Sequence, residues 1–151
     1  LKIAGRRNDH GYYLELKKLI KAEKLESYVE FLGEVIVSDL VDLYRNCAVF
    51  VFPSTVETFG NPLAEGMASG APVAASNTAA MPEIVGDTAR MFNPLSASQM
   101  AEAIIEILTD PDLATALREK GIRRAAMFSW VETATRTADV LVAASEAQQQ
   151  R

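Results

Sequence analysis

Apolar positions along this chain fall in short blocks separated by amphipathic stretches, and the alternation predicts strand, helix, strand, helix as far as Phe92. Leu1 to Gly5 reads as a first strand and His10 to about Lys24 as a first helix, with Tyr13, Leu16, Leu19 and Ile20 at helical spacing. Tyr28-Val29-Glu30-Phe31-Leu32 alternates as a second strand and stops at Gly33. Ser38 stands where an N-cap would open a helix through Asn46, with Leu40, Leu43 and Tyr44 on its inner face. The run Val49-Phe50-Val51-Phe52 reads as a buried strand ending at Pro53. A polar loop then leads through Gly60 to a helix with Asn61 as N-cap and Pro62 at its first position.

Gly70 fits the position just past that helix, and Pro72 to Ala75 opens the next strand. Gly66 inside the helix costs about 1 kcal/mol relative to Ala, which close backbone packing or plain tolerance would explain. Ser76-Asn77-Thr78 is a further carboxyl-end loop, Pro82-Glu83-Ile84-Val85 a short helical turn, and Thr88 to Phe92 the last strand, closed by Asn93-Pro94. Beyond it the pattern is helical. Ser96 or Ser98 caps a helix through Leu108, Asp110 with Pro111 starts another through about Phe128, and Ser129 caps a final one whose apolar stripe is lost near Ala144. The stripes Ile104, Ile105, Leu108 and Val131, Val140, Leu141 read as core or docking faces, and the tail from Glu146 to Arg151 should fray. The expected fold class is α/β: a Rossmann-like parallel sheet with helices on both faces.

Composition narrows the class. The chain has 151 residues, of which 49% are hydrophobic, enough for one domain with one core. A formal charge of −5 argues against a broad nucleic-acid or anionic-membrane surface, though one basic patch could hide within it. The single Cys47 cannot form an internal disulfide, which fits a reducing cytosol, and beside a buried strand it reads as an inert thiol. One Cys and one His make no metal site. His10, without an Asp, Cys or second His nearby, reads as a helix-start residue, and Arg6-Arg7 as a solvated loop. No targeting segment or membrane-length apolar run occurs, and the chain opens abruptly on a strand, as an excised fragment would.

Candidate chemistry gathers after the buried strand at Phe52. In an open α/β sheet ligands bind beyond the carboxyl ends of strands, and a helix N-terminus there offers unpaired N–H groups to an anion. The stretch from Pro53 to Leu63 therefore suits a phosphate. Two carboxylates bracket it: Glu57 in the loop and Glu65 in the first helical turns. With Asn61 as N-cap the capping-box position falls on Ala64, so Glu65 is one place too late for that role. Solvated carboxylates remain the plain alternative for both. Without a Gly-x-Gly-x-x-Gly fingerprint, a dinucleotide cofactor is disfavoured.

The string from Pro53 through Glu57, Phe59-Gly60-Asn61-Pro62, Glu65-Gly66-Met67-Ala68-Ser69-Gly70 to Ala71-Pro72-Val73 closely resembles the signature of family 4 retaining glycosyltransferases. Met81-Pro82-Glu83-Ile84-Val85-Gly86-Asp87 resembles that family's next segment. Thr58 departs from its usual Gly, Gly66 from its usual Ala, and Ala79-Ala80 from a frequent Gly pair. The resemblance implies a two-domain B-type fold of which this chain is the C-terminal, donor-binding domain. It implies that an earlier strand and an N-terminal acceptor domain, carrying the active-site histidine, lie outside it. No cofactor is implied beyond the donor itself, a UDP- or GDP-linked sugar, and no bound metal.

On that basis the amides from Phe59 to Leu63, with Thr58, Gly60, Asn61 and Pro62 between and beside them, would hold the distal phosphate. Glu65 would accept from the ribose hydroxyls, and Glu57, the catalytic candidate, would grip sugar hydroxyls and orient the anomeric carbon, since ionised carboxylates only accept. Val35, in the loop after Gly33, would border the base, although a plain strand-to-helix turn explains that loop equally well. The implied reaction retains anomeric configuration and transfers the sugar to a hydroxyl of a glycan or lipid-linked saccharide in polysaccharide biosynthesis. The setting would be cytoplasmic, with peripheral association at the inner membrane face and no nucleic-acid partner. A B-type nucleotide-sugar epimerase and a non-catalytic interaction module are the competing readings.

Overall fold

The structure is a computed structural model that describes residues 1–149. It divides into two compact units, the first ending at Asp42 and the second beginning at Leu43.

In the first unit, β1 (Lys2–Ala4) pairs in parallel with β2 (Glu30–Gly33), matching Ile3 to Phe31, with a register shift before Ala4. Between them runs α1 (His10–Ala22), opened by Asp9, whose carboxylate accepts from the Tyr12 amide at 2.9 Å. Tyr13 turns inward, its ring edge-on to Phe31 at 5.1 Å, and the Arg7 guanidinium covers it at 4.5 Å. Leu19, expected on the inner face, is 57% exposed. It lies about a hundred degrees around the helix from Ile20, outside the stripe that Tyr13, Leu16 and Ile20 form. No residue of this unit is fully buried, so the single core foreseen from composition lies elsewhere.

Helix α2 (Val37–Asn46) begins one residue before Ser38, which therefore is not its N-cap. The Leu40 amide donates to Ile36 O at 3.0 Å, and the Ser38 hydroxyl turns to Asp39 at 3.3 Å.

The second unit holds the core. Strands β3 (Phe50–Phe52), β4 (Val73–Ser76) and β5 (Ala89–Phe92) form a parallel sheet in sequence order, pairing Phe50 with Val73 and Val73 with Ala89. The strands alternate their faces as period-two geometry demands. Val73 and Ala75 pack with Leu63 and Met67 of α3 (Asn61–Ala68) and with Met81, Ile84 and Val85 of α4 (Met81–Val85). Ala74 and Phe92 face the other way, onto Ala103 and Ile107 of α5 (Ala97–Thr109) and Leu117 of α6 (Pro111–Ala125). Helices thus cover both faces of this sheet, and its central strand is inaccessible throughout, as a parallel sheet requires.

Helix starts follow the sequence closely in this unit. Ser96 caps α5 through the Gln99 amide, and Asp110 caps α6 through the Leu113 amide at 2.9 Å with Pro111 behind it. The last helix, α7 (Trp130–Gln149), takes its cap from Ser129, whose hydroxyl accepts from the Glu132 amide at 3.3 Å. It buries none of its side chains described, Trp130 and Val131 included. The expected fraying from Glu146 is not seen as far as Gln149, since Ala, Glu and Gln are good helix formers with no Gly or Pro among them. Residues 150 and 151, the end of that tail, lie outside the described residues.

Candidate functional site

Parallel strands put their carboxyl-end loops on one edge of the sheet, and in the second unit these are residues 53–60, 77–80 and 93–96. The first loop carries the chemistry. Pro53 has no N–H with which to continue β3. Ser54 follows, and its hydroxyl donates to Glu57 Oε1 at 3.0 Å while standing 3.1 Å from Val56 O. One proton serves both acceptors, so the hydroxyl holds the Glu57 carboxylate against its own loop. Glu57 is half-buried and Thr58 exposed.

Helix α3 begins differently from expectation. Its N-cap is Gly60, with φ of +85° and no side-chain cap bond, and Asn61 is already the first helical residue with its side chain in solvent. Glycine is required there by its positive φ. Space is not the constraint: a Cβ would make ordinary contacts, 3.4 Å from Leu63 Cδ1, 3.6 Å from Phe52 Cε1 and 3.9 Å from Glu57 Cβ. The shift of one place moves Glu65 still further from a capping-box position. Leu63 leaves the expected phosphate set, because its amide donates to Gly60 O at 2.9 Å and its side chain is core. Pro62 has no amide to give. The amides of Phe59, Gly60 and Asn61 have no acceptor among the described residues, the usual condition of a helix's opening N–H groups.

Phe59 is anchored from behind, its ring edge-on to Phe128 at 5.4 Å, and Arg124 covers Phe128 at 5.6 Å. The second loop is strapped to the first: Thr78 Oγ1 donates to Thr55 O at 3.2 Å, and the buried Ser76 hydroxyl to Phe52 O at 3.3 Å. Ala79 in that loop holds a φ of +50°, where a glycine would be unstrained.

Glu65 is exposed on α3. The Tyr44 hydroxyl is pushed up to about 12, by burial first and then by the charges of Glu65 and Cys47. Burial likewise raises the Cys47 thiol against the opposing pull of Arg118. Val35 stands half-buried between β2 and α2 in the first unit. Two cavities of about 400 and 380 Å³ also lie in that unit, one lined by Leu1, Glu26 and Tyr28, the other by Leu14 and the lysines of α1. Neither is lined by any part of residues 53–65. No three His, Cys, Asp or Glu side chains cluster as metal ligands among the described residues, and no described helix is long and apolar enough to cross a membrane.

A family model described as glycosyl transferases group 1 matches residues 1–124. The chain belongs to the glycosyl transferase group 1 family. Among curated members, the O-antigen chain mannosyltransferase B of Escherichia coli is 34% identical over 122 residues, which is 81% of this chain and 32% of the mannosyltransferase. The chain therefore spans about a third of that relative. Among solved structures, Anabaena HepE in complex with UDP and glucose superposes with a TM-score of 0.86 at 25% identity, covering 94% of this chain and 40% of that one. The C-terminal domain of a glycosyl transferase group 1 protein, LpcC of Francisella tularensis, superposes at 0.71 and 27% identity, covering 80% and 64%. The α/β architecture is that of the C-terminal domains of these B-type glycosyltransferases.

Three side chains that steady this loop go beyond what the sequence pattern picks out. Ser54 could have been found, since Ser three residues before Glu in a loop is a local hydroxyl–carboxylate pairing. Phe128 and Thr78 could not, because nothing local ties either to residues 55–59.

Proposed function

We propose that this chain is the donor-binding part of a retaining glycosyltransferase of family 4, which moves a sugar from a UDP- or GDP-sugar to a hydroxyl of a glycan or lipid-linked saccharide. The observation that carries the reading is the β3–α3 loop. A carboxylate steadied by Ser54 stands in the loop that leads to three amides without acceptors among the described residues, at the carboxyl end of a half-buried parallel strand. The complex of HepE with UDP and glucose supports a nucleotide-sugar donor.

In this mechanism the Phe59, Gly60 and Asn61 amides hold the distal phosphate and Glu65 accepts from the ribose hydroxyls. Glu57 accepts from sugar hydroxyls and fixes the anomeric carbon, with Thr58 and Pro62 bordering the sugar. The bond from anomeric carbon to phosphate oxygen breaks, and a bond to the acceptor oxygen forms on the same face. The acceptor's proton passes to the departing phosphate. Charge develops on the diphosphate as it leaves, and amides already aimed there lower the barrier without reorganising. The acceptor domain and the setting, cytoplasmic at an inner membrane face during polysaccharide synthesis, belong to the same proposal. The E. coli relative, an O-antigen chain mannosyltransferase by name, supports the polysaccharide part of it.

Titration of UDP and GDP into the full-length protein tests the reading, with binding of one expected. Glu57→Gln should then lower transfer by a hundredfold or so while changing nucleotide affinity little. Equal losses in both would remove Glu57 from its role, and binding of neither nucleotide would favour a non-catalytic module.

A further inference from the structure

Two of the groups that would hold the nucleotide, the Asn61 amide and Glu65, ride on one eight-residue helix, so whatever seats α3 sets where they stand. Its seat is unusually close on one side. A Cβ on Gly66 would lie 2.7 Å from Phe50 Cδ1 and 3.1 Å from Cε1, well inside the 3.5–4.0 Å at which carbon atoms attract.

The half-buried ring is hemmed in by two others. It stands edge-on to the buried Tyr44 at 4.9 Å and 6.1 Å from Phe52, and its backbone is pinned in β3, with the Phe50 amide donating to Pro72 O at 2.8 Å. Nor can α3 retreat freely. On another flank it meets α6, where a Cβ on Gly121 would already be 3.4 Å from Met67 Cγ, and Met67 is fully buried. A methyl at residue 66 therefore presses ring and helix apart, and whatever the ring does not absorb shifts α3, because a packed interior transmits strain.

We propose that Gly66 is a positioning residue: its missing side chain seats α3 on Phe50 and so sets where the Asn61 amide and the Glu65 carboxylate stand. This rests on the donor-site reading above. Gly66 touches no substrate. It acts through the Phe50 ring and the helix axis.

The test is titration of UDP and GDP into full-length wild type, Gly66→Ala, Phe50→Val and the double variant, with each fold checked by circular dichroism. Valine has no δ carbon to meet the new methyl. Gly66→Ala should weaken binding about tenfold and raise the donor KM more than it lowers kcat, and the double variant should recover the affinity of Phe50→Val alone. Unchanged binding by Gly66→Ala, or a folded double variant that still binds about tenfold more weakly than Phe50→Val, overturns the assignment. If Gly66→Ala does not fold, the double variant decides. Folding with the affinity of Phe50→Val upholds the clash, and failure to fold shows that Phe50 is not what the methyl strikes. Wild type binding neither nucleotide would sink the donor-site reading itself, a result distinct from equal binding by wild type and variant.

Discussion

Residues 1–42 and the residues from 43 on are written in the same alternation of strand and helix, yet only the second unit has a dry interior. In the first, two short strands, α1 and the opening turns of α2 leave every side chain at least partly wet. In the second, β4 has a neighbour on each side and helices on both faces, and Val73, Ala74 and Ala75 are all inaccessible. The difference shows that a strand–helix repeat becomes a scaffold only once a strand is enclosed from both faces. The candidate carboxylates and amides all stand on the enclosed unit, where supporting packing can hold a loop to within the tolerance that binding needs.

The largest expected contrast pits one residue type against itself. Ile107→Ala in α5 removes a side chain that is 2% exposed and should cost about 2–5 kcal/mol by urea unfolding. Ile20→Ala in α1, half-buried, should cost about 1 kcal/mol. Equal costs would erase the distinction between the units. Native-state hydrogen exchange would sharpen it, with β2 amides opening at lower free energy than those of β4.

Next come the arginines. Arg118 reaches from α6 to two helix ends, donating to Gly70 O just past α3 and to Cys47 O just past α2 at 2.9 Å. Those carbonyls are orphans at the negative ends of helix dipoles. Arg118→Met keeps the stem and deletes both bonds, and should cost about 2–3 kcal/mol in a chemical melt. Arg6→Ala removes an ion pair with Glu34 that is 2.6 Å long but 70% exposed on the arginine side, and should change stability by no more than about 1 kcal/mol.

These arginines also mark where sequence stops being informative. Local signals placed all five strands and nearly every helix, because caps such as Asp110-Pro111 and breaks such as Gly70 and Pro72 act within a few residues. Where two local choices competed the wrong one was taken. Asn61 looked like a better cap than Gly60, but the positive φ of Gly60 decided the geometry. Ser38 looked like a cap for a helix that starts before it. Non-local partners were invisible: Arg118 on Cys47, Phe128 behind Phe59, and Phe50 against Gly66 are set by the fold. Glu57 and Glu65 were legible as types at a spacing, whereas the Ser54 bond that steadies Glu57 and the tyrosine that feels Glu65 were not.

A smaller contrast lies at two helix ends with the same hydrogen-bond pattern. Helix α3 closes with the Ala71 amide on Gly66 O and the Gly70 amide on Met67 O, and Gly70 holds a φ of +79°. Helix α1 closes likewise, Leu25 on Ile20 O and Lys24 on Lys21 O, but with a lysine at a φ of +58°. Gly70→Ala should cost about 1–2 kcal/mol. Lys24→Gly should stabilise the first unit by roughly 0.5–1 kcal/mol, the relief of strain exceeding the flexibility gained by the unfolded chain. Thermal or urea melts of both variants check the opposite signs, and like signs would mean the two ends are not equivalent.

The smallest effect is expected where the two units should not differ at all, at exposed ion pairs. Asp87 receives a hydrogen bond from Lys120 at 2.7 Å, and that bond, more than the through-space attraction of the same ammonium, holds its carboxyl below the usual carboxylate range. A carboxyl lowered in the folded state adds stability above its unfolded pKa, and loses it as pH falls through the folded value. Since Asp87 is 79% exposed, salt screens most of that contribution. Asp87→Asn should therefore leave the urea midpoint unchanged within error at neutral pH and physiological salt, with a slight fall only at low ionic strength that disappears as the buffer is taken to acid. A loss comparable to that of Arg118→Met would mean that surface charge, and not enclosure of the central strand, separates the second unit from the first.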